Sequence, residues 1–204
     1  MMNKTLIAVS AALLVAVPVW LSANAETAEQ LALKIAPTEH AMGKEDAPVE
    51  IIEYMSMTCP HCAHFHMDVV PKLKEEYIDT GKVRFLIRDL PWDALAFAVS
   101  KITHCAGENY HPMLDLFMNT QKSWTHAKDA LKEIKKVARM GGMTDVDVEA
   151  CLKEEEIHKA INYSRKTALE ILNVKGTPTL FINGKKMSGV TEIEELRTEI
   201  DSLL

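Results

Sequence analysis

Residues 49–62 read VEIIEYMSMTCPHC. The first part, Val49 to Met55, is β-branched and almost wholly apolar, which predicts a strand buried on both faces. The stretch closes on Cys59-Pro60-His61-Cys62, and there the period changes. Cys62, Phe65, His66, Val69, Val70, Leu73 and Tyr77 follow helical spacing. Pro60 falls in the first turn, where its missing N–H costs nothing. Cys59 therefore stands where strand gives way to helix. Unpaired backbone N–H groups and the helix dipole at that end favour a thiolate. The thiolate is the reactive form of cysteine, so Cys59 reads as a nucleophile or leaving group in thiol–disulfide exchange. Zinc binding is the competing use of this spacing. Cys59, Cys62 and His66 could ligate, with His61 and His64 close by. But Cys62 and His66 fall on an apolar face, and no second Cys/His pair is placed beside them, so exchange is favoured over metal.

Outward from this stretch, Pro71 lies inside the helical pattern and predicts a kink, and Gly81 ends the helix. Val83 to Ile87 (VRFLI) reads as a second strand, so strand–helix–strand predicts a parallel crossover. The next clear strand is Thr179 to Ile182. Every apolar pattern between them is helical. Leu95, Val99, Ile102 and Cys105 share a face, as do Tyr110, Met113, Phe117 and Met118. Ala127, Leu131, Ile134 and Ala138 make a third face, and Ile157, Ile161, Ser164, Ala168 and Ile171 a fourth. The expected class is an α/β sheet with an all-helical subdomain inserted over 92–173. Asn183-Gly184 marks a two-residue hairpin. Thr191 with Glu194 forms a capping box before a last helix whose apolar face is Ile193, Leu196, Ile200 and Leu203. Residues 26–42 form an N-terminal segment, either a tail or an added edge strand around Leu31, Leu33 and Ile35.

Residues 1–25 read as a cleaved export signal: Lys4, an apolar run from Leu6 to Leu21, then Ala23-Asn24-Ala25. The net charge is −6, and loss of Lys4 makes it more negative. An acidic surface argues against nucleic acid and against anionic membrane surfaces. A mature chain of about 180 residues buries a core without disulfide staples. Its four cysteines therefore divide into a reactive pair and a structural pair, which an oxidising compartment permits.

Three further features bear on Cys59. Glu53 lies six residues before it in the apolar strand. Buried there, it could take a proton from the Cys62 thiol; alternatively it is a strand-end Glu reaching solvent. Thr177-Pro178 opens the Thr179 strand; its peptide bond is cis or, as more commonly, trans. Beside Cys59, backbone groups of Thr177 would be free to pair with an extended peptide. His61, between the cysteines, would stabilise the Cys59 thiolate and so the reduced form, which makes the disulfide more oxidising.

IIEYMSMTCPHC, followed by a helix and much later by GTPTLFINGK, resembles the DsbA family of the thioredoxin superfamily. GKEDAPVEIIEY is similar to the approach to the first core strand in its BdbD-like, alphaproteobacterial-type branch. The likeness runs from Gly43 to the C-terminus. It implies a thioredoxin-like fold over 43–91 and 174–204, with the helical insertion between. It implies that Cys59 is the exposed sulfur, Cys62 its buried partner, His61 the tuner and Glu53 the buried acid, with Thr177-Pro178 a cis-Pro loop. Met55, Met57 and Thr58 replace an aromatic-rich run, and Thr177 replaces Val, as in isomerase and reductase relatives. Cys105 and Cys151 both fall in the insertion; a disulfide between them is expected, as that branch often carries, over two free thiols. The resemblance further implies a monomeric periplasmic oxidase of client proteins, reoxidised by a DsbB-type membrane partner, with no cofactor and no metal. A reductase or isomerase of the same fold is the runner-up.

Overall fold

The computed structural model describes residues 27–34, 39–189 and 192–204. The export signal and Thr191 lie outside these residues. Five strands form one sheet: β1 (Ala41–Met42), β2 (Val49–Met55), β3 (Val83–Asp89), β4 (Thr179–Ile182) and β5 (Lys185–Ser188), in the order β1-β3-β2-β4-β5. β2 and β3 are parallel, with Val49 beside Val83 and Glu53 beside Ile87. The other three pairings are antiparallel. Central β2 alternates between two cores, as a strand covered on both faces must. Ile51 and Met55 join one core, Ile52 and Tyr54 the other. Glu53 shares the face of Ile51 and Met55, under the helical run after Cys59.

That run comprises Pro60–His64, Phe65–Val69, Val70–Leu73 and Lys74–Ile78, the second and fourth being π-helical. Pro71 brings no backbone donor. The wider turn before it accommodates this loss, with Val70 N–H reaching back to the Phe65 carbonyl. The run stops at Gly81, whose φ of +79° suits a residue without Cβ.

Between β3 and β4 every described element is helical. The principal ones are Ala94–Cys105, Tyr110–Asn119, Gln121–Thr125, Ala130–Met140, Asp145–Cys151 and Glu155–Lys166. Two expected faces need correction. Ala127 precedes its helix, which starts where Asp129 accepts from Lys132 N–H, and Leu131 is exposed; Ile134, Val137 and Ala138 are the buried residues. The Glu155–Lys166 helix continues as a π-turn over Thr167–Ile171. The added residue in that turn rotates the end of the helix, so Ala168 and Leu172 are buried while Ile171 is exposed. Cys105 and Cys151 are joined, closing a separation of 46 residues between two of these helices.

The N-terminal segment also differs from the expected tail or strand. Ala28–Leu33 is a helix, because Thr27 and Gln30 form a capping box. The edge strand comes later, at Ala41–Met42. Arg88 of β3 reaches the end of that first helix, donating to the carbonyls of Ala32, Leu33 and Lys34, to the Tyr54 hydroxyl and pairing with Glu39. A guanidinium suits this position because the last carbonyls of a helix lack internal partners. At the other edge, Asn183 and Gly184 both have positive φ, as a type I′ hairpin turn requires.

Candidate functional site

Cys59 is the residue before the first turn of the Pro60–His64 helix, and Pro60 occupies the first helical position. Pro60 has no N–H, so the next two backbone donors, on His61 and Cys62, face the sulfur. The Cys59 thiol is pulled down to about 5. The largest cause is the Cys62 thiol, which donates to it. The Thr177 hydroxyl and the N–H groups of Cys62 and His61 add to this, while partial burial opposes it. Cys62 is fully buried, and its thiol is pushed well up, first by burial, then by Cys59 and by the charge of Glu53. Two cysteines one helical turn apart thus have opposite preferences: one ionises readily, the other resists. His61 contributes its backbone N–H, and its side chain is exposed.

The Thr177–Pro178 peptide is cis, and it brings Thr177 against Cys59. Cys59 Sγ lies 3.2 Å from the Thr177 carbonyl, which accepts from the thiol. Trp92 Nε1–H donates to Thr177 Oγ1 at 3.0 Å. With its oxygen engaged by Trp92, that hydroxyl has its own proton to offer the thiolate. The neighbouring Asp93 carboxylate accepts from Thr58 Oγ1 at 2.6 Å and caps the Ala94–Cys105 helix through Ala96 N–H. Residues 92 and 93 therefore tie both loops that flank Cys59. Trp92 is 44% exposed, an apolar ring at the rim of the site.

Gln121, 5% exposed, holds the same loop from the insertion. Its Nε2 donates to the carbonyls of Met57 and Cys59, both at 2.9 Å. Replacement by Leu leaves those carbonyls without this donor. Gln121→Leu should cost about 1–3 kcal/mol in urea unfolding and should move the Cys59 titration, because the loop carrying the sulfur is released.

Glu53 is 0% exposed, so it does not reach solvent. It has a partner that the spacing argument did not supply: His66 Nε2 lies 2.8 Å from Glu53 Oε2. The spacing offers His66 only as a candidate zinc ligand on an apolar face; the structure makes it the partner of a buried acid. The available signal was a buried Glu and a histidine on the apolar face one turn beyond Cys62, since buried charge needs a partner. Trp92, Thr58, Asp93 and Gln121 carried no comparable signal. Among the described residues, no group of three or more His, Cys, Asp or Glu side chains could hold a metal ion.

A cavity of about 630 Å³ lies elsewhere, between the Ala28–Leu33 helix, β3 and the Glu155–Lys166 helix. Neither free sulfur lines it. Exchange with a protein substrate needs an open rim, which is what surrounds Cys59.

A half-exposed, acidic cysteine at a helix start, a buried partner and a cis-Pro loop on this sheet define a thiol–disulfide oxidoreductase. The comparisons agree. The family model described as thioredoxin matches residues 35–202, and the chain belongs to that family. Its relatives are protein-disulfide oxidoreductases and DsbA-like proteins. A Rickettsia bellii chain assigned to the protein-disulfide oxidoreductases is 26% identical over 177 residues, covering 86% of this chain and 68% of that one. Other rickettsial relatives are longer still, and the chain spans 63% of the one from Rickettsia felis. Disulfide bond formation protein D of Bacillus subtilis is 24% identical, covering 80% of this chain and 76% of that one. The crystal structure of Wolbachia pipientis alpha-DsbA1 superposes with a TM-score of 0.80 at 29% identity, covering 87% of this chain and 96% of that one.

Proposed function

We propose that this chain introduces disulfides into client proteins by exchange at Cys59–Cys62. The observation that carries the direction is the Cys59 thiol at about 5. A stabilised thiolate stabilises the reduced enzyme, and a stable reduced form makes its disulfide a strong oxidant. A client thiolate attacks Cys59 Sγ and Cys62 leaves, giving a mixed disulfide. A second client thiolate then displaces Cys59 and carries the new disulfide away. Thr177, the feature shared with isomerase and reductase relatives, here acts in the oxidising direction by favouring the Cys59 thiolate.

In this reading Glu53 takes up the Cys62 proton, and Thr177-Pro178 offers backbone to an extended client. Residues 43–91 and 174–204 form the redox domain, residues 92–173 the helical insertion, and Cys105–Cys151 is a structural bridge. Export to the periplasm is supported by the leader-like residues 1–25. Work as a monomer and reoxidation by a DsbB-type membrane partner follow from the likeness to DsbA. Equilibrium titration of the Cys59–Cys62 pair against glutathione tests the direction. The pair should stay reduced until the buffer is strongly oxidising; a potential as low as that of thioredoxin would sink the oxidase reading in favour of a reductase. His61→Ala keeps the backbone N–H, so it reads the ring alone. It should make the disulfide less oxidising.

A further inference from the structure

The two oxygens of Glu53 are treated differently. Oε2 is held by His66 at 2.8 Å. Oε1 is buried and has no hydrogen-bond partner among the described residues. Leaving a buried acceptor unpaired is costly, so such an atom at a redox centre calls for a use. The His66 side chain is 2% exposed and that of Glu53 0%. Burial by itself favours a neutral imidazole and a neutral carboxyl. For the imidazole the pair reverses this. Burial opposes charging of His66, but the Glu53 charge and hydrogen bond outweigh it, and His66 is pushed up.

The groups around the pair come from three elements. β2 supplies Glu53. The helical run after Cys59 supplies Cys62 and His66. The Tyr110–Asn119 helix supplies Asp115, whose charge favours the imidazolium, His111, pushed down first by burial and then by His66, and Tyr110, pushed up by burial, then by Asp89 and by Glu53. The Glu53 charge also reaches the Cys62 thiol.

We propose that His66 is a positioning residue for proton transfer at Cys62. As the imidazolium it holds Oε2 and leaves Oε1 uncommitted, so that Oε1 takes the Cys62 proton when the disulfide closes and returns it when the disulfide opens. This rests on the exchange reading of Cys59–Cys62. In the closing step the Cys62 S–H bond breaks and its proton goes to Glu53 Oε1. The sulfur's electron pair attacks Cys59 Sγ, the bond from Cys59 to the client sulfur breaks, and the client leaves as a thiolate. In the opening step a client thiolate attacks Cys59 Sγ. The Cys59–Cys62 bond breaks, and Cys62 leaves with the electron pair and takes the proton back.

The test is the rate at which Cys62 expels glutathione from a Cys59–glutathione mixed disulfide, followed from pH 5 to 9 in the full chain. Wild type, Glu53→Gln, His66→Gln and the double variant are compared. Gln at 66 keeps an N–H donor but cannot carry charge. Glu53→Gln should slow the step on the order of a hundredfold. His66→Gln should move the acid limb upward by about one pH unit, and it should add nothing in the Glu53→Gln background. An unmoved limb in His66→Gln, or an equal shift in both backgrounds, overturns the inference. A silent Glu53→Gln also overturns it while leaving exchange at Cys59–Cys62 standing. A wild type that forms no mixed disulfide overturns the exchange reading itself.

A second measurement needs no variant of His66. The infrared carbonyl band of a protonated buried carboxyl, assigned by its loss in Glu53→Gln, should be absent from the reduced wild type at pH 7. Its presence there overturns the inference.

Discussion

Cys59→Ser should reduce disulfide exchange to the uncatalysed background, and it should remove the thiolate absorbance step expected of the wild type near pH 5. No other described sulfur can replace it, because Cys62 is fully buried and Cys105 is joined to Cys151. The same thiol links redox state to stability. In the folded reduced protein it sits at about 5. In the unfolded chain it returns to roughly 8.5. A folded value below the unfolded one stabilises the reduced fold fully above the unfolded value, and that stabilisation is lost as pH falls through the folded value. The gap between denaturant melts of the reduced and oxidised protein should therefore change with pH. The reduced form gains on the oxidised form as pH rises from 5 to 8. A difference flat across that window would mean that the thiolate is not stabilised by the fold. Cys59→Ser, which cannot close this disulfide, should lose the same pH dependence from its melt along with the activity.

The second large effect concerns the other cysteine pair. The Cys105–Cys151 bridge spans 46 residues of the insertion. On the loop-entropy model its removal costs roughly 4 kcal/mol. In a chain of this size that corresponds to a melting temperature lower by roughly 8–16 °C. Cys105→Ala with Cys151→Ala should show this loss in thermal unfolding monitored by circular dichroism. The Cys59 titration should remain near 5, because the groups that set it lie in the Pro60 helix and at Thr177. A stable double variant with a displaced Cys59 titration would show that the bridge acts on the redox site and not on the fold.

Much of the architecture was legible because it rests on strong local signals. The run at Val49–Met55 had to be central because it has no polar face. The Asn183-Gly184 turn was fixed by two residues that tolerate positive φ. Cys59 could be placed at a helix start because Pro60 comes next and the apolar period changes there. What was hidden depended on contacts between distant segments. Gln121 is 62 residues from the Cys59 carbonyl it binds, and Trp92 is 85 from Thr177. Nothing in their local sequence marks either as part of the site. His66 was concealed differently: its position on the apolar face of a helix argued for packing, while the acid that pairs with it lies on β2. The misplaced faces at Leu131 and Ile171 have simpler causes. A helix began later than its period suggested, and a π-turn shifted the phase.

The depth of Cys62 has a consequence for damage. A half-exposed thiolate such as that of Cys59 is open to peroxide, which converts it to a sulfenic acid and, if attack continues, to forms that thiols cannot repair. Cys62 is screened from peroxide yet lies one helical turn away. It can condense with a sulfenic Cys59, releasing water and restoring the disulfide before a second oxidant arrives. The buried sulfur is then a safeguard as well as a partner: an oxidative insult to this molecule ends in its own working state.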